Sequence, residues 1–289
     1  MRFMPDTTSL IEISHLAKRY GNKLAVDDVS LAVRGGEIFG FLGPNGAGKT
    51  TTIKMIVGLL QPTSGAVRVA GYDVQAQPLQ AKAASGYVPD EPNLYPKLSA
   101  RELLRFVGDL YDLDRRQVAR RSEELFKLFD LAEAADDLLD SYSHGMRQKA
   151  ALAAALLHDP PVLVLDEPTV GLDPKSARLI KDILRQLADR GAAVFVSTHI
   201  LEIAERMCDR IGIINKGRLI AAGTVGELRA RGSNRAGGSD RAGGSDRAGG
   251  SNRAGGSNRA EGAGETSLED IFLELTGGTE YAEIAEVLR

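Results

Sequence analysis

Gly43, Pro44, Asn45, Gly46, Ala47, Gly48, Lys49 and Thr50 satisfy the phosphate-binding pattern G-x-x-x-x-G-K-[ST] at every fixed position. Glycine is required because the backbone must curl with its N–H groups toward phosphate oxygens, and Cβ atoms would obstruct that turn. An apolar helix is expected over 51–60, so its partial positive N-terminus, beginning at Thr51, joins the same nucleotide site. Lys49 is expected to reach the β- and γ-phosphates, and Thr50 to hold Mg²⁺. A second constellation follows at 162–167, where four apolar residues lead into Asp166 and Glu167. Two adjacent acids at the end of a buried strand can divide the work of phosphoryl transfer. Asp166 is placed to hold Mg²⁺ through water, and Glu167 to orient and polarise the attacking water.

These groups need a frame that brings separate segments together. Short apolar runs at 38–42, 162–165 and 193–197 read as buried strands. Alternation at 10–16 and 66–70 reads as half-exposed strands, and 211–214 with 218–221 as a hairpin about Asn215-Lys-Gly. Between them lies a mostly helical stretch with clear start signals. Ser99-Ala-Arg-Glu102 is a capping box, and Asp173-Pro174 is an N-cap followed by proline at the first helical position. The pattern predicts an α/β core carrying a helical insertion. Past it, 232–261 cycles with a period of six (GSNRAG, GSDRAG), offering only alanine for burial, and is expected to be a disordered, flexible spacer. A short amphipathic helix is expected from Ser267, and another over 279–288.

Tyr142-Ser-His-Gly-Met146, just upstream of Asp166, resembles the Leu-Ser-Gly-Gly-Gln signature of ATP-binding cassette (ABC) ATPases. The resemblance runs through 168–174, similar to the family's D-loop with Asp173, and through His199, similar to its switch histidine. It covers roughly 10–229. It implies a P-loop core sheet with an N-terminal antiparallel β subdomain and a helical insertion at about 90–160, within an ATPase domain over 10–231. The repeat at 232–261 would be the linker and 262–289 a helical tail. It further implies that two copies sandwich two ATP molecules head to tail, with Ser143 and Gly145 reaching the γ-phosphate in trans. Tyr20 matches the aromatic residue that stacks on adenine. Lys49, Glu167 and His199 would act on the γ-phosphate. Two departures stand out. His144 and Met146 replace the usual Gly and Gln, and Asp90 replaces the Gln of the γ-phosphate-sensing loop. Asp90 could still reach Mg²⁺ or water, but an ionised carboxylate donates no hydrogen bond.

Bulk composition fits this reading. The chain has 289 residues, with 36 basic against 39 acidic and a net charge of −3, so no bulk attraction to nucleic acid is expected. Residues 232–260 carry five Arg and two Asp, a local +3 that leaves −6 for the rest. One cysteine, Cys208, excludes an intrachain disulfide framework, fits a reducing compartment and reads as a packing residue. His15 and His158 read as structural. No run approaches the ~18 apolar residues that span a bilayer, and the first nine lack a signal-peptide core. A soluble protein is expected, with any membrane span supplied by a partner. For the exporter-type branch the resemblance implies a separately encoded membrane permease, a second ATPase subunit (a homodimer), and a peripheral place on the cytoplasmic face of the membrane. A mechanochemical ATPase of DNA repair or translation would bring a second cassette, coiled coils or zinc modules. A GTPase would need Asn-Lys-x-Asp, and the nearest stretch, Asn215-Lys-Gly-Arg218, lacks the acid.

Overall fold

A computed structural model describes residues 9–236, 269 and 271–273. The chain opens with β1 (Ser9–Tyr20), β2 (Lys23–Arg34) and β3 (Ile38–Leu42), followed by α1 (Lys49–Ile56), β4 (Ser64–Val69) and β5 (Tyr72–Asp73). Next come α2 (Pro78–Ala83), β6 (Ser85–Val88), α3 (Ala100–Leu110), α4 (Arg115–Leu128) and α5 (His144–Leu156). The rest alternates: β7 (Val162–Asp166), α6 (Pro174–Asp189), β8 (Ala193–Thr198), α7 (Leu201–Met207), β9 (Arg210–Asn215), β10 (Arg218–Gly223) and α8 (Val225–Ala236).

Two sheets result. Four strands in the order β2-β1-β4-β5 form an antiparallel sheet, and six in the order β10-β9-β3-β8-β7-β6 form the core sheet. Within the core sheet β9, β3, β8, β7 and β6 run parallel. The expected α/β fold with its antiparallel subdomain and helical insertion is the observed one. The strands β3, β7 and β8 are buried along their whole length, as their unbroken apolar runs predict.

Register decides the site. Leu42 pairs with Thr198, Asp166 with Ser197, and Val88 with Leu165. The C-terminal ends of β3, β6, β7 and β8 therefore meet at one edge, where ligands of open parallel sheets bind. That places Gly43, Asp90, Asp166 and His199 at neighbouring strand ends. Helix α1 is held by its own apolar face: Ile53, Met55 and Ile56 join one core with Phe39, Phe41 and Phe195 and with Ile11, Val26 and Val67 of the other sheet. Each such burial is worth ~1.5–3 kcal/mol, which fixes where the helix N-terminus points.

The insertion starts as its sequence predicts. Ser99 accepts from the Glu102 amide at 3.2 Å, and the Glu102 carboxylate accepts from the Ser99 amide at 2.8 Å. Asp173 caps α6, accepting from the Ser176 amide at 3.0 Å. Helix α1 differs from expectation, beginning at Lys49 and ending at Ile56 rather than spanning 51–60, because the loop passes straight into it from Gly48. Cys208 is the C-cap of α7 and is buried, which pushes its thiol up to about 12. His15 pairs with Asp28 at 2.7 Å, and His158 stacks on Tyr111 with ring centroids 3.9 Å apart.

Contacts divide the chain between Ala222 and Gly223. In the second unit α8 opens with a capping box between Thr224 and Glu227. It runs to Ala236, so the first residues of the repeat are helical where a spacer from Gly232 was expected. A growing helix adds a hydrogen bond for each residue it fixes, which outweighs the weak propensity of those residues. The remainder of the repeat, Ser267 and 279–288 lie outside the described residues. Glu269 and 271–273 are helical, with Ile271 buried. No helix among the described residues is long and apolar enough to cross a membrane.

Candidate nucleotide site

A cleft of about 310 Å³ opens at the strand ends. Asn45, Gly46, Gly48, Lys49, Thr50 and Thr51 line it from the loop, Tyr20 from β1, Asp90 from the segment after β6, and Asp166 and Glu167 from the end of β7. Gly43 and Pro44 shape the loop from behind. Their carbonyls accept from the Lys49 Nζ at 2.7 and 3.3 Å, and the Ala47 amide donates back to the Pro44 carbonyl at 3.1 Å. Burial lowers the Lys49 ammonium from its usual range, opposed by the charges of Glu167 and Asp166. Gly48 sits at φ +109°, and a Cβ there would lie 2.6 Å from the Ala25 carbonyl oxygen.

Asp166 is buried and accepts from the Ser197 hydroxyl. The same residue of β8 holds Glu167, whose amide donates to the Ser197 carbonyl at 3.1 Å and hydroxyl at 3.3 Å. Glu167 needs holding because it adopts φ +49°, a left-handed conformation that costs a non-glycine residue about 1–3 kcal/mol. Its side chain is 11% exposed. Oε1 lies 2.9 Å from the His199 Nδ1, while Oε2 is buried with no hydrogen-bond partner among the described residues. Asp90 is pushed above the ordinary carboxylate range by burial first, then by Asp166 and Glu91, against the pull of His144 and His199.

Sequence reasoning missed three participants. Lys23 and Ala25 of β2 line the cleft beside Tyr20, because the hairpin pairs Lys23 with Tyr20. Ser197 clamps both acids. Its signal was a polar Ser-Thr pair closing an otherwise apolar strand. Ser143, Gly145 and Asp173 do not line the cleft. Ser143 caps α5, accepting from the Met146 amide at 3.3 Å, and Gly145 follows in the first turn.

Mg²⁺ suits the donors present. Thr50, Asp90 and Asp166 offer hard oxygens from three elements, yet no group of three His, Cys, Asp or Glu among the described residues forms a closed cage. That ion keeps waters and takes phosphate oxygens beside one or two protein ligands. The unpartnered Glu167 Oε2 and the raised Asp90 mark a region short of positive charge.

A family model described as ABC transporter matches residues 26–170. The linearmycin resistance ATP-binding protein of Bacillus subtilis is 42% identical over 222 residues, covering 77% of this chain and 71% of that protein. The Nod factor export ATP-binding protein I of Cupriavidus metallidurans is 40% identical over 221 residues, covering 76% and 73%. Among solved structures, a dimeric ATP-binding cassette in a post-hydrolysis state bound to ADP and Pi superposes with a TM-score of 0.68 at 26% identity, covering 74% of this chain and 98% of that one.

Proposed function

The chain belongs to the ABC transporter family of ATP-binding cassettes, and from that premise we propose that it works as the head-to-tail dimeric ATPase of an exporter. It is an ATP hydrolase and an ATP-binding subunit of a transporter. Export draws support from the name of the Nod factor relative, and the dimer from the dimeric cassette.

The observation that carries the mechanism is the pairing of His199, outside the cleft lining, with Glu167, which lines the cleft together with Lys49 and Asp166. ATP phosphates lie in the loop, where backbone N–H groups and the α1 N-terminus bind them and Lys49 neutralises the β- and γ-oxygens. Mg²⁺, held by Thr50 and Asp166 with Asp90 nearby, would supply further charge neutralisation at the phosphate oxygens. His199 fixes Oε1 of Glu167, so Oε2 is left to accept a hydrogen from the attacking water and set its line of approach. Ser197 keeps both acids in place. Ser143 and Gly145, at the α5 N-terminus outside the cleft, then serve the nucleotide of a second copy.

The permease is proposed to bind at an apolar groove of about 480 Å³ lined by Leu59, Tyr87, Leu94, Leu103 and Tyr111. Pro89 and Pro92, which flank Asp90, line it too, so motion there is felt in the nucleotide cleft. Affinity isolation of the full chain from detergent-solubilised membranes is expected to bring down a multispanning membrane protein, and restoring that protein in vesicles to raise phosphate release. Recovery of ribosomes or DNA instead, with no membrane protein, would overturn the transporter assignment.

Tyr20 offers a smaller test of the base site. The residue is 48% exposed at the cleft rim, with the Lys18 Nζ 5.3 Å from its ring centroid. Tyr20→Phe is expected to bind ATP nearly as well as the wild type, and Tyr20→Ala to lose ~1–3 kcal/mol, the worth of one base–aromatic stack. Equal affinities across the three proteins, measured by nucleotide titration, would remove Tyr20 from the site.

A further inference from the structure

His144 stands where the resembled signature carries glycine, and its side chain reaches back to a loop of its own chain. The ring Nε2 lies 3.3 Å from the Val170 carbonyl oxygen. A carbonyl oxygen only accepts, so Nε2 carries the hydrogen. The ring also lies beside the next residue: a Cβ added at Gly171 would come within 3.3 Å of its Cδ2 and Nε2. One position further along α5, a Cβ on Gly145 would sit 3.4 Å from the Leu172 Cδ2. Two adjacent residues at the start of α5 therefore lie alongside three consecutive residues of the 168–173 segment, and His144 bonds one of them.

That segment leaves Glu167 directly. The Val170 amide donates to the Glu167 carbonyl at 3.2 Å and the Leu172 amide to the Thr169 carbonyl at 3.4 Å, and the segment ends where Asp173 caps α6. Both ends are thus tied, one to the strained Glu167 and one to a helix. The middle is tied to α5 by His144. Glycine in its place would remove the hydrogen bond to Val170.

We propose that His144 is a positioning residue for ATP hydrolysis, tethering the 168–173 segment to the signature helix so that Glu167 and the segment keep one arrangement during turnover. The inference rests on the hydrolytic reading of this site. It concerns one donor hydrogen bond and the close approach of the ring to Gly171, so the effect belongs in turnover rather than in ATP affinity: His144 does not line the cleft that holds the P-loop. Glutamine places an amide Nε2 the same number of bonds from the backbone as the imidazole Nε2, so it can keep the donor while losing the ring.

The test compares His144→Ala and His144→Gln in the full chain, by steady-state phosphate release and by hydrogen–deuterium exchange of the 168–173 segment without nucleotide. His144→Ala is expected to lower kcat by about three- to tenfold, the rate equivalent of one hydrogen bond, with KM for ATP within about twofold. It should also speed exchange in the segment severalfold. His144→Gln should restore both toward wild type. Unchanged exchange in His144→Ala overturns the tether whatever turnover does, and a glutamine variant as impaired as alanine overturns the hydrogen bond as its agent. A wild-type chain that hydrolyses no ATP would instead sink the hydrolytic reading, and the exchange measurement would still decide the tether.

Discussion

Glu167→Gln is expected to bind ATP and to turn it over about 10²–10³-fold more slowly, a loss of ~3–4 kcal/mol of transition-state stabilisation. The amide keeps the length and shape of the carboxylate, so the backbone at φ +49° and its bonds to Ser197 stay as they are. What changes is the unpartnered oxygen. In the proposed mechanism Oε2 accepts from the water in the wild type; an amide at that position either donates, or presents a weaker neutral oxygen. Single-turnover phosphate release with saturating ATP measures the step, and a rate within about threefold of wild type would strip Glu167 of its role. Normal ATP affinity in the same protein separates this loss from a damaged site.

Gly48→Ala combines a steric clash with a strained backbone, and a large effect is expected. The new Cβ would meet the Ala25 carbonyl oxygen at 2.6 Å, a backbone atom that cannot swing aside, at a φ of +109° that alanine rarely adopts. We expect a loss of about 2–4 kcal/mol in stability, together with a large loss of ATP binding as the loop shifts. Gly46→Ala is the internal control. Gly46 also has positive φ, at +76°, but a Cβ there meets nothing within 4 Å, so only the conformational term of about 1 kcal/mol remains. Urea unfolding of both variants should rank them in that order; equal midpoints would mean that the approach to Ala25 does not constrain the loop.

The parts of the fold that announced themselves are those where a single physical signal dominates. Strand β3 runs Ile38–Leu42, as its apolar run predicts, and β7 and β8 each extend their predicted runs by one residue at the C-terminal end. The capping box at Ser99 and the proline after Asp173 name their helix starts to the residue. Other elements gave no such signal. Strand β2 carries the adjacent acids Asp27 and Asp28, the latter at φ +54°, which interrupts its alternation. Strand β6 is four residues, Ser-Gly-Tyr-Val, too short and too small in side chain to show a period, yet its pairing with β7 delivers Asp90 to the cleft. The site divides the same way. Lys49, Thr50, Asp166 and Glu167 were legible because phosphate chemistry dictates residue type and spacing together. Lys23 and Ala25 act through tertiary contacts that no local pattern encodes, Ser197 left only the polar Ser-Thr end of an apolar strand, and the His144 contact with Val170 joins residues 26 apart.

The claim at the centre of this account is that the cleft is half of a site, completed by Ser143 and Gly145 of a second copy closing over ATP. Slow turnover in Glu167→Gln should trap that closed state, so the most direct measurement is sedimentation equilibrium of this variant with and without Mg-ATP. The account predicts twice the monomer mass with Mg-ATP and the monomer mass without it. A monomer at saturating ATP, in a protein shown to bind the nucleotide, would contradict it.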